Sequence, residues 1–399
     1  MTENLAIDGG SPIREQPLPF TRISYGYEEL REVLDVFESG TFCSVMPTAV
    51  KVPAFEKAFA EYVGTRYAVA FSSGTTAQHA ALVAAGVGPG DEVIVPPLTF
   101  ASTGYTVFMV GATPVFADVD DDTITLDAAR VVEATTERTR AIVPVHWFGH
   151  PADMNAIMDH ADRNDITVIE DCAHAYGSRY QDRGIGTIGA MSCWSLQQSK
   201  VLTAAGEGGA LATDDEGHAQ VARSMLDHGK DKTAPAGVVD RYSIVRVGNN
   251  YRLSELHAGF ALAQLRKAER LQDAREEHAR YLDARLGDVP GVRRPRPADD
   301  VTVGYPYYPV RFSEGHFRAD LHKITDALQA EGIDTIRIAD EEFVPDHPLF
   351  RENSGPVDLP VAWQIGKELM LLPLYPDMAQ SDLDDIVAAV KKVTAAYAA

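Results

Sequence analysis

From about residue 53 to 215 the sequence repeats one unit: an amphipathic stretch of helical period, a turn, and a short apolar run. This alternation constrains the fold more than any other feature of the chain. It predicts helices over 52–63, from the SSGTTAQ stretch through Ala85, over 126–134 and over 153–163. Strands are expected over 67–71, 114–119, 141–145, 167–170, 191–195 and 210–213, with GVGPGDE as a turn cluster and EVIVPPL as a strand end. Runs this short, and apolar throughout, suit strands covered on both faces. The class expected is therefore α/β, with a mostly parallel sheet between helices. Around 253–277 the pattern changes to one long charged helix able to bridge two domains, followed by β-like alternation over 305–312 and helical signals at 322–331 and 383–397. The division expected is a large domain, residues 1–266 with the N-terminal segment, and a smaller α+β domain, 267–399.

The 399 residues are enough to bury a real core, and 45% hydrophobic with 24% charged residues is ordinary for a globular chain. The formal charge is -22. A field of that sign repels phosphate backbones and anionic lipid, which argues against nucleic-acid or membrane binding as a main role. Three cysteines (Cys43, Cys172, Cys193) without CxxC spacing argue against a disulfide framework or a zinc site. The first residues show no basic region followed by an apolar run, and no apolar stretch reaches membrane-spanning length. The expectation is a cytoplasmic, metal-free protein.

Four short segments carry chemistry. In VIEDCAHA, Asp171 follows a buried strand, where open α/β sheets place ligands. A carboxylate there is costly unless it meets a cation, and a pyridinium nitrogen is one. Taken alone, the same aspartate reads as a helix N-cap. In MSCWSLQQSKVLTAAGEGG, Lys200 follows a strand and precedes a glycine-rich turn. A desolvated lysine is a nucleophile towards an aldehyde, though most lysines are simply solvated. In SSGTTAQHAAL, small and hydroxyl residues (Ser73, Thr75, Thr76) open a helix, which suits a phosphate as well as an ordinary cap. Ser195 could add a phosphate donor, and Phe100 in PPLTFAST could stack on a flat ring or fill a core.

The order of these pieces matches fold type I pyridoxal 5'-phosphate (PLP) enzymes. SGTTA, DEVIVPPLTFAST, GATPVFADVD, IVPVHWFG, IEDCAHA, QQSKVLT, GEGGALAT and NNYRLSELHAG together resemble the DegT-type sugar and aminocyclitol aminotransferase family, over nearly the whole chain. The resemblance implies a large domain with a mostly parallel, seven-stranded-type sheet and PLP as cofactor. It implies Lys200 as the Schiff-base lysine and proton shuttle, and Asp171 as partner of the pyridine nitrogen. Thr75, Thr76 and Ser195 match phosphate contacts, Phe100 the stacking position, and His174 a place near the ring hydroxyl. It further implies a homodimer with shared active sites, in which Asn250 and Arg252 of GNNYRLSE reach the other subunit's cofactor. Gln197 and Gln198 resemble the branch that uses L-glutamine to aminate keto-cyclitols such as scyllo-inosose, as in antibiotic-type biosynthesis. Departures from the family pattern are an extra small residue in LTAAGEGG, a missing glycine before FEKAF, and His79 where an apolar residue is common.

The alternative within the class is a nucleotide-keto-sugar aminotransferase using L-glutamate. A PLP-binding regulator without turnover is opposed by Lys200 with its acid partner and by the absence of a basic helix-turn-helix segment. A nicotinamide dehydrogenase is opposed by the absence of GxGxxG after a strand.

Overall fold

The computed structural model describes residues 4–231, 243–297, 300–338, 343–355 and 357–399. In chain order its strands are β1 (Tyr67–Phe71), β2 (Glu92–Val95), β3 (Thr113–Phe116), β4 (Thr139–Ile142), β5 (Thr167–Asp171), the pair β6 (Arg179–Tyr180) and β7 (Arg183–Gly184), β8 (Met191–Ser195) and β9 (Gly209–Thr213). Further on come β10 (Val292–Arg293), β11 (Val301–Thr302), β12 (Tyr308–Phe312), β13 (Ile336–Arg337) and β14 (Leu369–Leu372).

The central sheet has seven strands in the order β1-β9-β8-β5-β4-β2-β3. β3, β2, β4, β5 and β8 pair in parallel, and β9 runs antiparallel to both β8 and β1. This is the fold type I architecture. Strand period 2 divides its side chains between two cores. Val69, Phe71, Val93, Val95, Met191 and Leu211 enter one; Ala68, Ala70, Ile94, Trp194, Ala210 and Ala212 enter the other. The helices Gly74–Ala84 and Glu216–Leu226 cover the first face, and Lys51–Val63 and Glu255–Arg266 the second. A four-stranded antiparallel sheet, β10-β12-β14-β13, packs on the helices Leu321–Ala330 and Gln380–Tyr397 around a third core.

The single long helix expected over 253–277 is instead two, Glu255–Arg266 and Ala268–Leu286. Lys267 lies between them at φ -113° and ψ 15°, outside helical geometry. Its ammonium is drawn 2.5 Å from the buried carboxylate of Glu29, and that contact accompanies the break. The strand expected over 305–312 begins at Tyr308. Among the described residues no helix is long and apolar enough to cross a membrane, and the three cysteines are free.

Candidate active site

The carboxyl ends of β1, β2, β5 and β8 open into one cavity of about 520 Å³. β5 ends on Asp171, whose main chain is fixed on both sides: its N–H donates to the Pro144 carbonyl (2.9 Å) and its carbonyl accepts the His146 N–H (3.1 Å). Alternation along the strand turns Glu170 the other way. Fully buried, it accepts the N–H groups of Gly186, Ile188 and Gly189 (2.9, 2.7 and 2.7 Å) and pairs with His146 Nε2 (3.1 Å). Burial alone would raise the Glu170 carboxyl, but these partners hold it below the usual range.

Asp171 is in the opposite position. Its Oδ1 accepts the Ala173 N–H (3.1 Å), and its Oδ2 accepts the Thr103 hydroxyl (3.0 Å) and Gln78 Nε2 (3.4 Å). Among the described residues it forms no ion pair within 4.0 Å, and burial pushes its carboxyl up against these hydrogen bonds and the charge of Lys200. A carboxylate held towards a cavity and short of a cation suits a protonated ring nitrogen.

Lys200 follows β8 on a turn in which its N–H donates to the Gln197 carbonyl (2.9 Å). Its Nζ lies 2.6 Å from His174 Nε2. The imidazole stacks on Trp147 (centroids 4.8 Å, 27°) and on Phe148 (5.6 Å, 17°). Burial first, and the Lys200 charge second, push His174 well below the ordinary histidine range, so the ring is neutral at pH 7.

Another part of the cavity wall is built from the start of the helix Gly74–Ala84. Ser73 Oγ accepts the Thr76 N–H (3.2 Å), and the Ser73 carbonyl accepts the Ala77 N–H (3.2 Å). The N–H groups of Gly74 and Thr75 have no protein acceptor among the described residues. Ser195 closes this corner; a Cβ on Gly74 would lie 3.1 Å from the Cβ of Ser195. Two open N–H groups at a helix N-terminus, with the Thr75 and Ser195 hydroxyls beside them, fit a phosphate.

Of the residues expected from sequence, Thr75, Phe100, Asp171, His174, Ser195 and Lys200 line this one cavity. Phe100 sits on its rim, 58% exposed. Thr76 does not line it: its hydroxyl donates to the Ser73 carbonyl (2.9 Å) and accepts the Ser73 N–H (3.1 Å), so it caps the helix. Asn250 and Arg252 also lie outside this chain's own cavity. Arg252 pairs with Asp227 (2.9 Å) and bridges to Phe71 at the end of β1. Of the two glutamines, Gln197 lines the cavity, whereas Gln198 is exposed with its N–H on the Gly206 carbonyl (2.8 Å). Sequence reasoning did not find Gln78, Thr103, Trp147 or Tyr307. Gln78 stands in SSGTTAQHAAL and Thr103 in PPLTFAST, and only the fold brings them to Asp171; no sequence signal marks Tyr307.

The sequence pattern of the DegT/DnrJ/EryC1/StrS aminotransferase family matches residues 24–391. The chain is 37% identical over 389 residues to the spore coat polysaccharide biosynthesis protein SpsC of Bacillus subtilis, spanning 95% of this chain and 98% of that protein. Among solved structures it resembles S. venezuelae DesV in complex with a ketimine intermediate, with TM-score 0.86 and 32% identity over 95% of this chain and 99% of the other. It also resembles a putative sugar aminotransferase of Streptococcus pneumoniae in its PLP form, with TM-score 0.86 and 25% identity over 95% and 99%.

Proposed function

The chain belongs to the DegT/DnrJ/EryC1/StrS aminotransferase family and is a PLP-dependent aminotransferase; on that premise we propose which residues carry the reaction and what it acts on. PLP, when bound, supplies an aldehyde that takes up amines and a ring that accommodates the electron pair left by a broken C–H bond. Asp171 keeps a proton on the ring nitrogen. The open N–H groups of Gly74 and Thr75, with the Thr75 and Ser195 hydroxyls, hold the phosphate. Lys200 bears the cofactor and then moves the proton at the substrate carbon through Nζ. Neutral His174 holds that amine at 2.6 Å without placing a second positive charge beside it. Phe100, on the rim of the cavity, would stack on the ring.

For the acceptor we favour an uncharged keto-cyclitol or keto-sugar, with L-glutamine as donor. The observation that carries this reading is the wall itself: among the described lining residues Lys200 is the one cation, while Asp171 and Glu207 are acids. Among this chain's own described lining residues a diphosphate would find no arginine; any it met would come from the partner subunit. Likeness to a spore coat polysaccharide biosynthesis protein favours the second reading, a nucleotide keto-sugar with L-glutamate. The test is to add each amino acid to the yellow holoenzyme and follow the visible absorbance, then restore it with uncharged cyclic ketones or nucleotide keto-sugars. Bleaching by glutamate alone, with recovery on nucleotide sugars alone, would sink the first reading.

We further propose a homodimer with shared sites. The helix Tyr27–Ser39 exposes Tyr27, Leu30, Leu34 and Phe37 at helical spacing, and Ile244, Val245 and Val247 are exposed just ahead of Asn250 and Arg252. An apolar stripe of this kind marks an interface. Leu30→Glu with Leu34→Glu should give a monomer by sedimentation, and mixing Lys200→Ala with Arg252→Ala chains should restore part of the activity.

A further inference from the structure

A backbone N–H can only donate, and this fixes an orientation that an amide side chain usually leaves open. The Ser199 N–H lies 2.7 Å from Gln197 Oε1, so that atom is the oxygen and Nε2 points elsewhere. Ser199 Oγ lies 2.6 Å from the same Oε1, which can only accept, so the hydroxyl hydrogen is committed there. The Tyr307 phenol must then be the donor to Ser199 Oγ (2.9 Å), with the Ser199 carbonyl at 3.3 Å as its other acceptor. Tyr307 comes from the segment leading into β12 and stacks on Phe20 (centroids 5.0 Å, 24°), so the far end of this chain of bonds is also held.

The relay runs one way, from Tyr307 through Ser199 to Gln197, and all three residues line the cavity. Its free end is Gln197 Nε2, which has no protein partner among the described residues and is not sealed from solvent. Turning the amide over would set its NH2 against the Ser199 N–H, donor against donor.

We propose that Gln197 is a specificity-determining residue whose Nε2 donates to an oxygen beside the carbonyl of the ketone substrate. Ser199 and Tyr307 are positioning residues that keep the amide from turning over. The inference rests on the reading of the acceptor as a polyhydroxylated cyclic ketone. It deepens that reading by selecting ketones with an oxygen on both carbons that flank the reacting one, so that the flanking carbon facing Gln197 always carries an acceptor. Gln197→Glu is the sharp probe, because it keeps the shape and the bonds to Ser199 but puts an acceptor where the donor stood.

The experiment uses the amino form of the holoenzyme and two ketones, scyllo-inosose and its 2-deoxy analogue, which lacks one hydroxyl beside the carbonyl. Wild type should favour the hydroxylated ketone in kcat/KM by about 10-fold, as one hydrogen bond to an otherwise unpaired group allows. Gln197→Glu and Gln197→Ala should each lose that preference, mainly through KM for the hydroxylated ketone. Tyr307→Phe and Ser199→Ala should lose part of it. Equal use of both ketones by wild type, or an equal loss for both in Gln197→Glu, overturns the proposal while leaving the acceptor class intact. Bleaching by the amino donor with no recovery on either ketone overturns the acceptor class, and the proposal with it.

Discussion

At Gly209 a hydrogen in place of a side chain shapes the anion end of the cavity. A Cβ there would stand 2.2 Å from the Ser73 carbonyl carbon and 2.5 Å from the Gly74 nitrogen, so β9 and the turn before the helix Gly74–Ala84 approach with no room for a methyl group. Gly209→Ala should cost about 1–3 kcal/mol in urea unfolding. It should also weaken PLP binding at least tenfold, read by titrating the visible absorbance; unchanged affinity would show that the turn does not cradle the phosphate. At this scale the sequence was informative where chemistry is unusual and silent where it is shared. An aspartate after a strand and a lysine before a glycine turn stand out once their order is seen. The hydroxyl of Thr103 and the amide of Gln78 are ordinary in the sequence, and only the tertiary fold makes them partners of Asp171. The glutamine pair behaved likewise: neighbours in sequence, but one faces the cavity and the other solvent.

The elements themselves are stabilised across long separations. The helix Lys51–Val63 starts on Val50, which has no side chain able to cap it, in the stretch where the family's usual glycine is missing. Glu255, at the start of another helix, takes over. Its Oε2 accepts the N–H groups of Val50 and Lys51 (2.8 and 2.7 Å), and its Oε1 accepts that of Val52 (2.9 Å). Pro53, next in line, has no N–H to satisfy. Glu255→Ala therefore leaves three N–H donors without their acceptor at once, that of Val52 buried, and should lower stability by about 2–3 kcal/mol. Glu255→Gln should recover part of this loss, and a change within about 0.5 kcal/mol would show that water can do the same work. Strands were legible from short apolar runs bounded by turns, as over Tyr67–Phe71 and Met191–Ser195. The helix Ser102–Met109 was not. It is buried around much of its surface and carries no periodic stripe, and its Gly104 is needed because a Cβ there would meet the Phe350 ring at 2.6 Å. The break at Lys267 is accompanied by a contact to a carboxylate more than 200 residues earlier, beyond the reach of any local pattern.

For the whole molecule, acid stability should depend on a histidine outside the reaction. His150 is buried beside Tyr305, and burial, helped by the Arg294 charge, lowers it to about 4. The unfolded chain takes up this proton near pH 6.5 and the folded chain does not. Stability is therefore full above pH 6.5, falls as pH drops towards 4, and the loss from this group amounts to about 3 kcal/mol. His174, lowered in the same direction, adds to it. Melting curves between pH 7 and 4 should be flatter for His150→Phe than for wild type, and parallel curves would remove His150 from the account. The pairing of β1 with β9, Tyr67 opposite Thr213, has a consequence in time as well as in space. Ser73 leaves one strand while Ser195 and Gly209 belong to the last two added, so a growing chain cannot assemble the phosphate corner until residue 213 has left the ribosome. In refolding, the yellow colour should lag behind helix formation, because it reports closure of the most sequence-distant contact in the sheet.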